Sequence, residues 1–202
     1  MLKKSNLQLS KAKIYHPALA ERIKEGSVKA FYESFQPVSV LDILNADIPS
    51  IRQINDVVGS KQISGLLLWK FKEYLSLGDF ELTVKQIALL IERIVFRYDS
   101  LSVSDIELML KMGISGELGE IYGKVRIDTV LGKKGWLETY VKYQYVRKRE
   151  IIDEAIREFF IKKGLDPDQQ LNAAIKKGRE EKKISHIAVR LRLYKLIMDE
   201  NK

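Results

Sequence analysis

The residues best equipped for binding chemistry form the run Tyr140-Val141-Lys142-Tyr143-Gln144-Tyr145-Val146-Arg147-Lys148-Arg149, where aromatic and basic side chains interleave. On a helix, Tyr140, Tyr143 and Arg147 share one face, and Lys142, Tyr145 and Arg149 share another. Cations at that spacing can sit on phosphates while a tyrosine ring stacks on a base or a sugar. The competing reading is a helix with tyrosines at its core edge and a wet basic face. A second cationic run is Lys176-Lys177-Gly178-Arg179-Glu180-Glu181-Lys182-Lys183, backed by Arg190, Arg192 and Lys195. These charges flank Ile184, Ile187, Val189, Leu191, Leu193 and Leu196, a pattern that also suits an amphipathic helix docking on a protein partner. The candidate nucleic-acid contacts are Lys142, Arg147, Lys148, Arg149, Lys176, Lys177, Arg179, Lys182 and Lys183.

Catalytic chemistry finds less support. His16 and His186 are the two histidines, and neither has a recognisable partner motif. Both read as ordinary surface or half-buried residues. The chain has no cysteine, which excludes disulfides, thiolate zinc sites and cysteine nucleophiles. The acids Asp153, Glu154, Glu158, Glu180 and Glu181 lie among Lys and Arg at helical spacing, as solvated ion pairs do. Gly119-Glu120-Ile121-Tyr122-Gly123-Lys124 departs from a phosphate-binding loop, because the glycines are too close and Val125 stands where Ser or Thr would hold magnesium. Gly116-Glu117-Leu118-Gly119 has a G-x-x-G outline but lacks the basic middle residues of a nucleic-acid clamp. No catalytic residue, metal or cofactor is expected.

The elements that must position these residues read as helical. Capping patterns stand at Thr83…Gln86, Ser104…Glu107 and Asp166-Pro167-Asp168-Gln169. Apolar stripes mark Ser39–Ala46, Ile51–Val58 ending at Gly59, Lys61–Leu77 and a helix after Thr83 that runs to about Tyr98. A helix over Asp105–Met112 follows, and Gly113, Gly116, Gly119 and Gly123 then break the pattern as a structured turn. Its expected members are Gly116, Gly119, Tyr122 and Gly123. Asp128 or Thr129 caps a further helix, interrupted at Gly132–Gly135 and resumed as Trp136–Ile161 with a stop at Gly164. Lys124–Ile127 is the one place that suits a short β pairing, and the last helical stretch has a potential bend at Gly178. Pro17 opens a helical stripe over Ala18–Phe35. The fold class is therefore an all-α multi-helix bundle with a Gly-rich turn and a basic helical C-terminal extension. The expected organisation is a flexible basic lead (1–16), a helical core domain (17–145) and the basic extension (146–202).

Charge supports this division. Residues 1–30 carry seven basic and two acidic side chains, and residues 141–202 carry sixteen and ten. The middle is almost balanced, while the whole chain is +8 with a pI of about 9.4. Cationic flanks attract polyanions, of which phosphate backbones are the commonest in a cytoplasm; the bland reading is that they only keep the protein soluble. Ile63–Phe71 and Ile87–Phe96 fall far short of the ~20 apolar residues of a spanning helix. A cytoplasmic protein without membrane contact is expected.

Leu101-Ser102-Val103-Ser104-Asp105-Ile106-Glu107-Leu108-Met109-Leu110-Lys111, then Gly116-Glu117-Leu118-Gly119-Glu120-Ile121-Tyr122-Gly123 and Trp136-Leu137-Glu138-Thr139-Tyr140, resembles a family of small helical proteins. Bacteriophages and mobile elements of gut bacteria encode them. Their pattern is a short helix, Gly-x-x-Gly-x-Ile/Phe-Tyr-Gly, and a helix with Trp-Leu-x-x-Tyr; this chain departs from it at Gly132-Lys133-Lys134-Gly135. The resemblance implies a role in phage or plasmid DNA replication, as an initiator or helicase-loading accessory in the host bacterial cytoplasm. The expected function is thus a non-enzymatic nucleic-acid-associated accessory protein holding DNA or RNA by its phosphates. The alternative is a protein–protein adaptor or virion component that docks through the C-terminal helix. The sequence leaves the oligomeric state open.

Overall fold

The computed structural model describes residues 32, 37–46, 48–77, 82–119, 124–182 and 185–200. The protein is an all-α multi-helix bundle. In chain order the helices are α1 (Val40–Asn45), α2 (Ile51–Val58), α3 (Ser60–Leu75), α4 (Val84–Arg97), α5 (Val103–Ile114), α6 (Ile127–Leu131), α7 (Trp136–Lys162), α8 (Pro167–Lys182) and α9 (His186–Glu200). The chain divides into two compact units, Met1–Tyr143 and Gln144–Lys202. The expected lead over 1–16 and the stripe over 18–35, apart from Tyr32, lie outside the described residues.

In the first unit, short polar side chains start the helices. Ser39, Ser50 and Thr83 each accept a backbone N–H from the third helical residue, whose Asp42, Gln53 or Gln86 side chain accepts the cap's own N–H. These reciprocal bonds satisfy donors that a helix start otherwise leaves without partners. The loop before α5 also helps to hold the start of α2. Ile51 N–H donates to the Leu101 carbonyl at 2.7 Å, and Arg52 N–H to that of Asp99 at 2.8 Å. The Arg52 guanidinium closes the same junction with two hydrogen bonds to Asp99, at 2.7 and 2.8 Å. Ser50 and Ser102 form an isolated antiparallel bridge there, and Val125 occupies another bridge position just before α6.

The core of this unit surrounds α5. Every residue from Val103 to Leu110 is buried, so this helix has no solvated face over two turns. Also buried in this unit are Ile63, Leu67 and Phe71 of α3, Leu90 and Ile94 of α4, Val130 of α6, and Trp136, Leu137 and Tyr140 of α7. Each such side chain contributes roughly 1.5–3 kcal/mol by leaving water.

Several local expectations are corrected here. The α5 capping box is Ser102…Asp105, two residues before the predicted Ser104…Glu107. Asp105 has the shorter reach needed to accept from the Ser102 N–H (2.8 Å) and Oγ–H (2.7 Å), while Glu107 is used in a buried ion pair. Helix α5 also runs through Gly113, the residue expected to begin the turn. A Cβ there would overlap the Trp136 ring, so glycine is needed to admit the indole. Arg126, rather than Asp128 or Thr129, is the α6 cap residue; Thr129 Oγ1 accepts its N–H at 3.2 Å. Gly116 (φ 84°) and Gly119 (φ 125°) take left-handed backbone, the conformation for which the Gly-rich turn selects glycine. Tyr122 and Gly123 lie outside the described residues.

The second unit takes most of α7 together with α8 and α9. Gly164 (φ 69°) ends α7, with Leu165 N–H returning to the Phe160 carbonyl. Asp166 Oδ1 then accepts from Asp168 N–H and Gln169 N–H, at 2.9 and 3.0 Å, to open α8 at Pro167. Helix α8 passes through Gly178 without ending, and α9 starts after Ser185. The core here is Ile151, Ile152 and Ile156 of α7, Ile175 of α8, and Val189, Tyr194 and Ile197 of α9.

Candidate nucleic-acid interface

In the second unit the basic residues of two helices meet. Asn172, Lys176 and Arg179 recur at three- and four-residue spacing along one side of α8. His186 and Arg190, four residues apart, share a side of α9. Both sides open onto one cleft of about 480 Å³, lined also by Ile175 and Glu180. Ile175 is buried and gives the cleft an apolar base, while Lys176, Arg179 and His186 are exposed. Arg190 is fixed: its Nε donates to Asp153 Oδ1 of α7 at 2.7 Å. Asp153 also lies 3.6 Å from the Arg149 guanidinium, so one carboxylate holds two arginines in place. Lys176 and Arg179 have no ion-pair partner among the described residues. A cleft with two cations outside any ion pair, an anchored arginine and a histidine, against the single carboxylate of Glu180, offers hydrogen-bond donors to an anion.

The other predicted contacts are distributed differently. Lys142 is exposed on the part of α7 in the first unit. Arg147 is exposed and paired with Glu150 at 3.0 Å, Lys148 is half-buried, and Lys177 is exposed. Lys182 ends α8, and Lys183 lies outside the described residues. Of the tyrosines in that run, Tyr140 follows the core-edge reading: its side chain is fully buried and its hydroxyl is bonded to Asp105. Tyr143 and Tyr145 remain exposed. His186, expected to be an unremarkable surface residue, lines the cleft. Its four-residue spacing from Arg190 was the available signal, readable only once α8 and α9 were known to pack together.

A second polar concentration is buried in the first unit. Glu107 Oε1 accepts from the Tyr74 hydroxyl at 2.9 Å and lies 3.1 Å from Lys111 Nζ. Its Oε2 lies 2.8 Å from Lys70 Nζ, an ion pair off the line of a well-directed hydrogen bond. Lys111 Nζ also donates to the Pro37 carbonyl at 3.0 Å. Asp105 Oδ1 accepts from the Tyr140 hydroxyl, and its Oδ2 belongs to the Ser102 cap. Burial, and then the nearby Asp105 charge, pushes the phenols of Tyr140 and Tyr32 far above their ordinary ionisation range. Burial and Glu107 do the same to Tyr74. Each carboxylate oxygen is engaged from within the protein, so this network ties helices together.

Among the described residues, no helix is long and apolar enough to cross a membrane. No protein-family model, curated protein or solved structure matches the chain.

Proposed function

We propose that this protein is a non-enzymatic accessory factor that holds nucleic acid by its phosphate backbone, with the α8–α9 cleft as the principal contact. The observation that carries this reading is the convergence of Lys176, Arg179, His186 and Arg190, from two helices, on one cleft. Two of these cations form no ion pair among the described residues, and the four basic side chains outnumber the one carboxylate, Glu180, so phosphate adds partners that the fold does not supply. Backbone contacts of this kind position a strand without reading its bases. Arg147, Lys148, Arg149 and Lys177 extend the cationic surface of the same unit. The resemblance over Leu101–Tyr140 supports a place in the DNA replication of a phage or mobile element, in the cytoplasm of its host.

Fluorescence anisotropy with labelled single-stranded and duplex DNA and with RNA tests the reading. Affinity should fall steeply with salt, and absence of binding at ~50 mM salt would reject it.

One observation favours a protein adaptor instead. Ile187 and Leu196 of α9 are 57% and 62% exposed, an apolar presence that polyanion binding does not use. That reading expects partner capture to survive high salt and to be abolished in Leu196→Asp.

A further inference from the structure

Helix α4 carries two apolar stripes. One is the core face, with Ile87, Leu90, Ile91 and Ile94 buried. The other, Val84, Ala88, Ile91 and Val95, is spaced four, three and four residues apart, as in a coiled-coil seam. This second stripe forms one side of an open groove of about 610 Å³. Small residues of α3, namely Ser60, Ser64 and Gly65, line its other side. A Cβ added at Gly65 would meet nothing within 4 Å, so another backbone has room to approach there. At the two ends of α4, Val84 is 80% and Phe96 83% exposed, a large apolar area to leave in water.

Charges beside the stripe identify the occupant. Lys85 and Glu92 occupy equivalent seam-flanking positions, one heptad apart. Both are exposed, and neither has an ion-pair partner among the described residues. If a second α4 runs antiparallel about the midpoint of the stripe, Val84 meets Val95, a pair that occurs twice, and Ala88 of each copy lies over the groove floor, to which Ile91 contributes only its small exposed edge. The same alignment brings each Lys85 to within about 3 Å, measured along the axis, of the Glu92 of the other copy, at 1.5 Å rise per residue. A two-fold axis requires such a self-complementary set, in which one residue's contact is returned by the other copy. We propose that the α3–α4 groove is the dimer interface of this protein: two copies pair through antiparallel α4 helices, and α3 and α4 of both make a four-helix bundle.

This inference is independent of phosphate binding. Sedimentation velocity of the full chain over a wide concentration range should show a monomer–dimer equilibrium. Ala88→Glu, at an exposed position, should leave the circular dichroism spectrum unchanged and abolish the dimer. Lys85→Glu or Glu92→Lys alone should weaken dimerisation about tenfold, because each puts two like-charge pairs across the axis. The double variant Lys85→Glu/Glu92→Lys restores both pairs with reversed polarity and should recover wild-type association. A chain monomeric at every concentration, a dimer indifferent to Ala88→Glu, or a double variant no better than the single ones would each overturn the proposal.

Discussion

The Tyr140 hydroxyl donates to Asp105 Oδ1 at 2.9 Å, joining the first turns of α7 to the cap of α5. Tyr140 is fully buried and Asp105 is 2% exposed, so neither group has water as a substitute partner. Asp105 already accepts from Ser102 through its other oxygen, and the tyrosine engages the second. Tyr140→Phe removes the donor and leaves a buried carboxylate oxygen short of one bond. The expected cost is about 1–3 kcal/mol. Urea denaturation checks this, and a variant as stable as the wild type would remove the bond from the account of the fold.

The same phenols give stability a pH dependence. In an unfolded chain tyrosine ionises near pH 10. Burial, with Asp105 or Glu107 nearby, raises Tyr32, Tyr74 and Tyr140 well above that. Below pH about 10 both states keep these protons, and the contribution is fully present. Above it, the unfolded state releases protons that the native state retains, so stability falls as pH rises. Tyrosinate absorbance should therefore show these three phenols ionising only together with loss of the helical circular dichroism signal. Ionisation of Tyr32, Tyr74 and Tyr140 with the helices intact would contradict it.

Lys70 and Glu107 are each about 1% exposed and lie 2.8 Å apart. Removing one partner leaves the other as a buried charge, which costs about 3–5 kcal/mol. Glu107→Leu should be destabilising on that scale, because Lys70 then keeps only the more distant Glu73, at 3.4 Å, among the acids it contacts. Adding Lys70→Met removes the stranded ammonium. The double variant should be more stable than the sum of the single effects by at least about 1 kcal/mol. Additive effects in a denaturation cycle would show that the two charges do not depend on each other.

How much of this was legible depended on the range of the interaction. Thr83…Gln86, the Gly59 stop and the Asp166-Pro167 start are local chemistry, and they stand where their spacing placed them. The misplaced α5 cap shows the limit. Ser102…Asp105 and Ser104…Glu107 are both acceptable locally, and only the buried Lys70 and Tyr74 of α3 draw Glu107 away from capping. Gly113 was indistinguishable from its turn-forming neighbours until Trp136 was known to lie against it. Tyr140 carries the same lesson at the candidate site. The basic aromatic run allowed either stacking or a core-edge place for its tyrosines, because helical periodicity does not say which face turns to the core. The cleft was half visible: Lys176 and Arg179 announce themselves by charge, whereas His186 joins them only through the packing of α9 on α8.

The cleft therefore separates two kinds of cation by what surrounds them. Lys176 and Arg179 have no protein partner among the described residues, so replacing them removes donors to phosphate without leaving an acid unpaired inside the fold. Arg190 is bound to Asp153, and its removal would disturb α7 and α9 as well. Lys176→Gln/Arg179→Gln should keep thermal stability within about 0.5 kcal/mol of wild type, as surface changes usually do. The same variant should weaken oligonucleotide binding at low salt. The slope of log affinity against log salt should become shallower by about one for each phosphate that is no longer neutralised, and by a similar amount for every base sequence. Lys142→Gln, an exposed lysine of the first unit, is the matched control and should change the slope little. If the double variant weakens binding no more than the control for each charge removed, the polyanion responds to total charge, and the cleft is not where it binds.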